Sequence, residues 1–264
     1  MSETSRHAVA EAYVKLGALG ERERSEEHRL GLTVEFVERE AGGYQGKRVL
    51  DIGSSNGLHL LAAKERGAKQ VVGLDKYIFP DTFDNDFILT NKEMTELQDI
   101  WKLEGVSVLP QDLAGRWPFE DGSFDLVVCD AVIEHLHGIH KALFEEVRRV
   151  LAPGGMFVFT TPNFASLLKR VRFVFGRSPL WDFRDYVDSG TQFTGHVREF
   201  TVNECRSLLD WTGFEPLKVI ARPSYFRWSW LKNPAKFHNV FFQAVSRLRS
   251  TWGDLVFAVG RKRD

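Results

Sequence analysis

The segment Val49-Leu50-Asp51-Ile52-Gly53-Ser54-Ser55-Asn56-Gly57 constrains this chain more than any other. It reads as a short apolar strand running into a glycine-bracketed turn, with helix-forming residues beyond. Such a turn brings bare backbone to a helix N-terminus, where a polar ligand can approach closely. About 20 residues further on, Gln70-Val71-Val72-Gly73-Leu74 reads as a second strand that ends in Asp75. An acidic residue at that place can accept hydrogen bonds from the two hydroxyls of a ribose. A bound nucleoside is therefore the first expectation.

The rest of the chain fits the same frame. Residues 5–41 read as two helices broken near Gly17–Gly20. Helical stretches are expected at 57–66, 90–103 and 141–150, and strands at 49–51, 71–74, 106–110, 125–129 and 156–160. Strands alternating with helices of this length imply βαβ units and a mostly parallel sheet covered on both faces. Beyond Pro162, a long connection precedes a helix at 202–212, and 214–221 and 255–261 read as the last two strands. Long connections inside a compact fold usually act as lids or substrate walls.

Composition narrows the class. With 264 residues, 43% hydrophobic content and a net charge of −1, the chain reads as one soluble α/β domain. Cys129 and Cys205 fall in regular structure and read as buried free thiols. Met1 to Arg24 is polar and does not read as a signal peptide, and no uncharged apolar run approaches the roughly 20 residues that span a bilayer. The expected location is cytoplasmic. The charge is unevenly placed: residues 163–264 hold 17 Lys/Arg against 9 Asp/Glu, whereas residues 1–162 hold 18 against 27. The basic half is also rich in Trp and Phe, which suits an anionic substrate or surface as well as a solvated face.

Five segments in order carry a resemblance to the class I S-adenosylmethionine (SAM)-dependent methyltransferases, particularly the small-molecule branch. They are Val49–Gly57, Val71–Asp75, Gln111-Asp112-Leu113, Phe124–Leu136 and Val150–Gly155. The resemblance implies a Rossmann-like seven-stranded, mostly parallel sheet with an antiparallel last strand and helices on both faces. It implies one methyltransferase domain over 1–264, with an N-terminal helical cap at 1–44, a SAM-binding core at 45–162 and substrate-side insertions at 163–200 and 224–250. It also implies roles. Asp51 contacts the methionine end of SAM or braces the turn. Gly53, Ser54, Ser55 and Gly57 line the cofactor, with Ser55 where the family's middle glycine stands. Asp75, with Lys76 beside it, holds the ribose, while Asp112 and the backbone of Leu113 meet the adenine. Asp130 faces the methionine ammonium. An NAD-binding reading fails at the turn, because G-x-x-x-G lacks the glycine a pyrophosphate must pass.

In methyl transfer the cofactor carries the activated group, so the protein aligns the acceptor and removes a proton. A histidine is the base to seek near neutral pH. His196, in His196-Val197-Arg198-Glu199-Phe200-Thr201, is the first candidate for base or substrate-orienting residue, and His135 the second, with His137 and His140 nearby. The His-x-Arg-Glu-Phe-Thr segment resembles one in methyltransferases of small molecules and of glycan or lipid precursors. Thr201 and Glu204 spell a capping box. Quinone-type O-methyltransferases offer a metal variant, Glu-x-x-Glu-His. Here Glu134 and His135 match it, but Ala131 replaces the first glutamate. Two ligands are too few for a hard cation, and no metal is expected.

The expected acceptor is a small molecule: a glycan, lipid-linked or isoprenoid-type metabolite, anionic or lipid-linked in keeping with the basic half. Basic residues beside Phe and Trp at 163–193 and 225–252 fit an amphipathic helix in peripheral contact with the inner membrane surface, a lid, or a helical cap. Nucleic acid is not expected as partner, since Asp130 is followed by Ala131-Val132 rather than Pro-Pro-aromatic. A nucleic-acid methyltransferase and a non-catalytic SAM-binding protein remain the alternatives.

Overall fold

The computed structural model describes residues 2–17, 26–76, 90–180, 183–188, 195–224 and 237–264. Two helices come first, α1 (Glu3–Leu16) and α2 (Glu27–Glu40). Then follow β1 (Arg48–Ile52), α3 (Leu58–Glu65), β2 (Gln70–Asp75), α4 (Asn91–Glu104) and β3 (Ser107–Pro110). β4 (Phe124–Asp130), a 3-10 turn (Ile133–His135), α5 (His140–Val150) and β5 (Leu151–Pro162) complete the middle. The last part holds α6 (Leu167–Val174), α7 (Phe183–Asp188), α8 (Val202–Trp211), β6 (Phe214–Arg222), α9 (Phe237–Ser246) and β7 (Leu255–Lys262).

The seven strands form one sheet in the order β3-β2-β1-β4-β5-β7-β6. Every pairing from β3 to β5 is parallel, and β7 runs antiparallel between β5 and β6. This is the expected Rossmann-like sheet.

Strand alternation divides the core in two. Val49, Val71, Leu126, Val128, Val158 and Phe257 face one cluster, which α1, α2, α3 and α4 cover. Leu50, Ile52, Val72, Val127, Phe157 and Phe159 face the other, covered by α5 and α8. The alternation also aims chemistry. Asp51 and Asp130 fall on the phase of Val49 and Val128, so both carboxylates point toward the N-terminal helices.

The structure revises several boundaries. Leu151–Gly155, read as a turn before strand five, already belongs to β5, because Leu151 pairs with Phe124 across a register shift. The amphipathic helix expected within 163–193 becomes two short helices, α6 and α7. The aromatic-basic run 225–236 lies outside the described residues. Cys129 and Cys205 are buried and free. Among the described residues no helix is long and apolar enough to cross a membrane.

Candidate active site

The site grows from the carboxyl edge of the parallel strands, where open α/β sheets bind ligands. The turn after β1 is tied to the end of β2: the Gly53 and Ser54 N–H groups donate to Leu74 O at 2.8 and 3.2 Å. Gly53 and Gly57 hold φ of 70° and 86°. A Cβ on Gly53 would come within 2.4 Å of Val132, and one on Gly57 within 2.8 Å of the Trp101 indole nitrogen. Glycine is therefore required at both places by the chain's own packing. Ser55 also lies in the left-handed region, at φ 48°, and its N–H donates to the Asp75 carboxylate at 2.8 Å. The turn and the second-strand acid thus form one unit, with Asp75 buried.

Next to it, Lys76 pairs with Asp112 at 2.8 Å, and Asp112 also accepts from the Ala114 N–H. The Lys76 ammonium holds the Asp112 carboxyl below the usual carboxylate range. Gln111 N–H donates to Asp75 O at 3.2 Å, which brings the Asp112-Leu113 loop against the end of β2.

His59 and Tyr44, beneath the turn, have no role in the sequence reading. Buried Asp51 lies 3.3 Å from His59 Nδ1, and His59 Nε2 meets the Tyr44 hydroxyl at 2.8 Å. Burial pushes the Asp51 carboxyl up, with His59 opposing. Asp51 thus sets the end of β1 beside α3. Asp130, at the end of β4, accepts from Thr33 Oγ1 at 2.9 Å, from the Arg29 guanidinium and from the Thr160 hydroxyl. Arg29 and Thr33 sit one turn apart on α2, so the N-terminal helical layer closes on the cofactor edge. No spacing in the sequence announces this, because the partner lies 101 residues away.

The first of the candidate histidines along the chain, His135, follows Asp130 by five positions. Ala131 adopts φ 57° and turns the chain into the 3-10 turn. The Glu134 carbonyl there accepts from Val197 and Arg198 N–H at 2.8 and 3.2 Å. This pins the 196–200 segment to the turn and brings His196 edge-on to His135, with ring centroids 5.0 Å apart. His196 Nδ1 lies 3.0 Å from Glu199 Oε1, and Lys169 closes an ion pair on the other Glu199 oxygen. Burial, with His135 and Lys169 nearby, lowers His196 to about 4. Burial also lowers Lys169 to about 8. His140 Nε2–H donates to the Ile133 carbonyl at 2.8 Å and the ring packs on Phe200, a structural position. His137 is exposed.

Glu134 is 1% exposed, and neither carboxylate oxygen completes a well-aligned hydrogen bond among the described residues. Burial raises it to about 7. Glu134, His135 and His196 each bring one ligand atom within 4.8 Å of the others. The Glu-x-x-Glu-His motif still offers only Glu134 and His135, and His196 joins them from a segment 61 positions after His135.

The edge also fits a nucleoside cofactor. Ser54 Oγ is buried without a hydrogen-bond partner among the described residues, and the turn presents left-handed backbone beside a buried acid. Both features sit at the carboxyl edge of an open parallel sheet, the place where such sheets take a ligand. Residues 24–219 match the family described as methyltransferase domain. The chain belongs to that family, whose fold is the class I SAM-dependent one and whose cofactor is SAM.

Among curated relatives, the ubiquinone biosynthesis O-methyltransferase of Idiomarina loihiensis is 32% identical over 128 residues, 48% of this chain and 47% of that protein. The tRNA U34 carboxymethyltransferase of Syntrophotalea carbinolica is 35% identical over 117 residues, 44% of this chain and 32% of that protein. The matches thus span half or less of these relatives. A SAM-dependent methyltransferase from Mesorhizobium loti superposes with a TM-score of 0.57 at 19% identity, covering 90% of this chain and 98% of its own. That likeness speaks for the fold.

Proposed function

We propose that this chain methylates a small molecule, most simply at oxygen, with His196 as general base. The observation that carries this reading is the His196–Glu199 pair at 3.0 Å, held on a segment that is hydrogen-bonded to the turn after β4. An Nδ1–H donated to Glu199 leaves Nε2 to take the acceptor's proton. At neutral pH a histidine lowered to about 4 is unprotonated, the form a base needs.

SAM, when bound, supplies a methyl group already activated on a sulfonium. The chain's own residues then bind and orient. Asp75 accepts from the ribose hydroxyls while its bond to Ser55 N–H keeps it in place. Asp112 and Leu113 meet the adenine. Arg29 and Asp130, opposite charges side by side, match the carboxylate and ammonium of an amino acid. Similarity to a ubiquinone biosynthesis O-methyltransferase favours an oxygen acceptor on an isoprenoid-type, lipid-linked or glycan metabolite. The second reading, an RNA acceptor, draws on the similarity to a tRNA-modifying enzyme.

The test is transfer of labelled methyl from SAM to an extract of the source cells, followed by solvent partition and ribonuclease treatment. Ribonuclease-resistant label in small molecules is the expected result, and ribonuclease-sensitive polymer would establish the second reading. His196→Ala should lower turnover by about 10²–10⁴-fold with cofactor affinity intact. Asp75→Ala should weaken cofactor binding by about 100-fold, since it removes hydrogen bonds to a charged acceptor. Full turnover in His196→Ala removes the base assignment, and unchanged affinity in Asp75→Ala removes the cofactor assignment. If SAM binds but no label moves, a non-catalytic role follows.

A further inference from the structure

We infer that the tip of α6, residues 175–180 and α7 form a docking surface for an anionic lipid bilayer. Half of the exposed large apolar side chains among the described residues fall between positions 173 and 187. Phe173, Val174 and Phe175 are consecutive and 70–80% exposed, and Phe183 is 77% exposed. α6 buries none of its residues. Soluble chains rarely leave such a cluster to water without a use for it.

The charges around the cluster identify its occupant. Arg170, Arg172 and Arg177 are exposed. None of the three pairs with a carboxylate among the described residues; Arg170 reaches only the Ala165 carbonyl. No Asp or Glu occurs between Phe164 and Leu180, whereas Asp182, Asp185 and Asp188 follow against Arg184, so the cationic part of the surface is α6 and its C-terminal end. Arginine beside phenylalanine on one exposed tip suits the headgroup boundary, where rings enter the acyl region and guanidinium groups stay on phosphates. A symmetric contact with a second copy would instead set one cluster of arginines against another. Three consecutive apolar residues on a helix end also point in different directions around its axis, which a fluid interface accommodates better than a single groove.

The surface lies next to the site. α6 starts directly after β5, and its Lys169 holds Glu199, the partner of His196. Exposed Phe241 on α9, which packs against α6, lies in the neighbouring helix. Docking would therefore place the acceptor side of the cleft at the bilayer. The inference stands apart from the proposed reaction, because binding to lipid needs neither cofactor nor acceptor.

The test is co-sedimentation of the full chain with vesicles of phosphatidylcholine alone or mixed with phosphatidylglycerol. Sedimentation with the anionic vesicles only, weakened by added salt, is expected. Arg170→Gln, Arg172→Gln and Arg177→Gln together should lower the affinity by about 100-fold, at roughly fivefold per cation. Phe173→Ser with Phe175→Ser should lower it at least about tenfold while the anionic preference persists. These variants change only exposed side chains, so their melting temperatures should match the parent's. The inference is overturned if the anionic vesicles leave the chain in solution. It is also overturned if the Phe variants bind as the parent does, or if those variants abolish a dimer in place of lipid binding.

Discussion

At the scale of single residues, Glu134 imposes the clearest consequence. Its carboxyl is raised from 4.5 to about 7 by burial. The folded chain therefore binds this proton more tightly than the unfolded chain does. Linkage then makes stability from this group fullest below about 4.5, with a loss as pH rises through about 7. A shift of that size corresponds to about 3 kcal/mol. Glu134→Gln should remove the pH dependence between 5 and 8 and leave the variant more stable than the parent at pH 8, measured by urea unfolding across that range. Equal slopes for both proteins would show that Glu134 does not carry the proton. For His196 the sign is opposite. Its neutral form is the active one, so the acidic limb of kcat/KM should lie well below 6.5, approaching about 4, and activity should fall as pH drops through it. A limb near 6.5 would place the base elsewhere. Asp75 and Asp130, both named from the sequence, share one property that local pattern can state: each ends a strand. Arg29, His59 and Glu199's hold on Lys169 escaped because they depend on contacts across the fold that local pattern does not encode.

At the scale of elements, the start of α8 joins stability to the site. Thr201 Oγ1 accepts from Glu204 N–H at 3.2 Å, and the Glu204 carboxylate accepts from Thr201 N–H at 2.8 Å. This box was legible in the sequence, since its spacing is local and its chemistry fixed. Its position was not: Phe200 O accepts from Phe164 N–H at 3.0 Å, so the cap also fixes the segment that carries His196. Thr201→Ala should cost about 1 kcal/mol and lower kcat as well. The same box at the start of α4, Thr90 with Glu93, is remote from the histidines in the sheet order and provides the control. Thr90→Ala should lose similar stability with kcat unchanged. If both variants lose activity equally, the cap acts through stability alone. The division of 163–193 into α6 and α7 was not legible, because alternating Phe, Val and Arg fits a helix at any length until Gly176 and Pro179 interrupt it.

At the scale of the whole molecule, the last strand in sequence is an interior strand of the sheet, so the C-terminal residues help to hold the N-terminal ones. Phe257 of β7 is fully buried, with its ring 5.4 Å from Phe36 of α2. The alternation of 255–261 is enough to announce a strand, but its place between β5 and β6 rests on long-range pairing that no local pattern states. Phe257→Ala should cost about 3–5 kcal/mol, a large share of the roughly 5–15 kcal/mol that holds a typical domain folded. The same cavity loosens α2, which carries Arg29 and Thr33 to Asp130, so cofactor affinity should fall with stability although Phe257 is not a cofactor residue. Ligand linkage makes the two losses separable. A ligand at about 100 times its Kd adds about 2.7 kcal/mol to the folded state. SAM at that excess should raise the melting temperature of the parent and of Phe257→Ala by similar amounts, once each is referred to its own Kd. Asp75→Ala should show little rise at the parent's ligand concentration. If Phe257→Ala destabilises the chain but keeps the parent's Kd, α2 is held to the site by Asp130 alone, and β7 serves the core without reaching the cofactor edge.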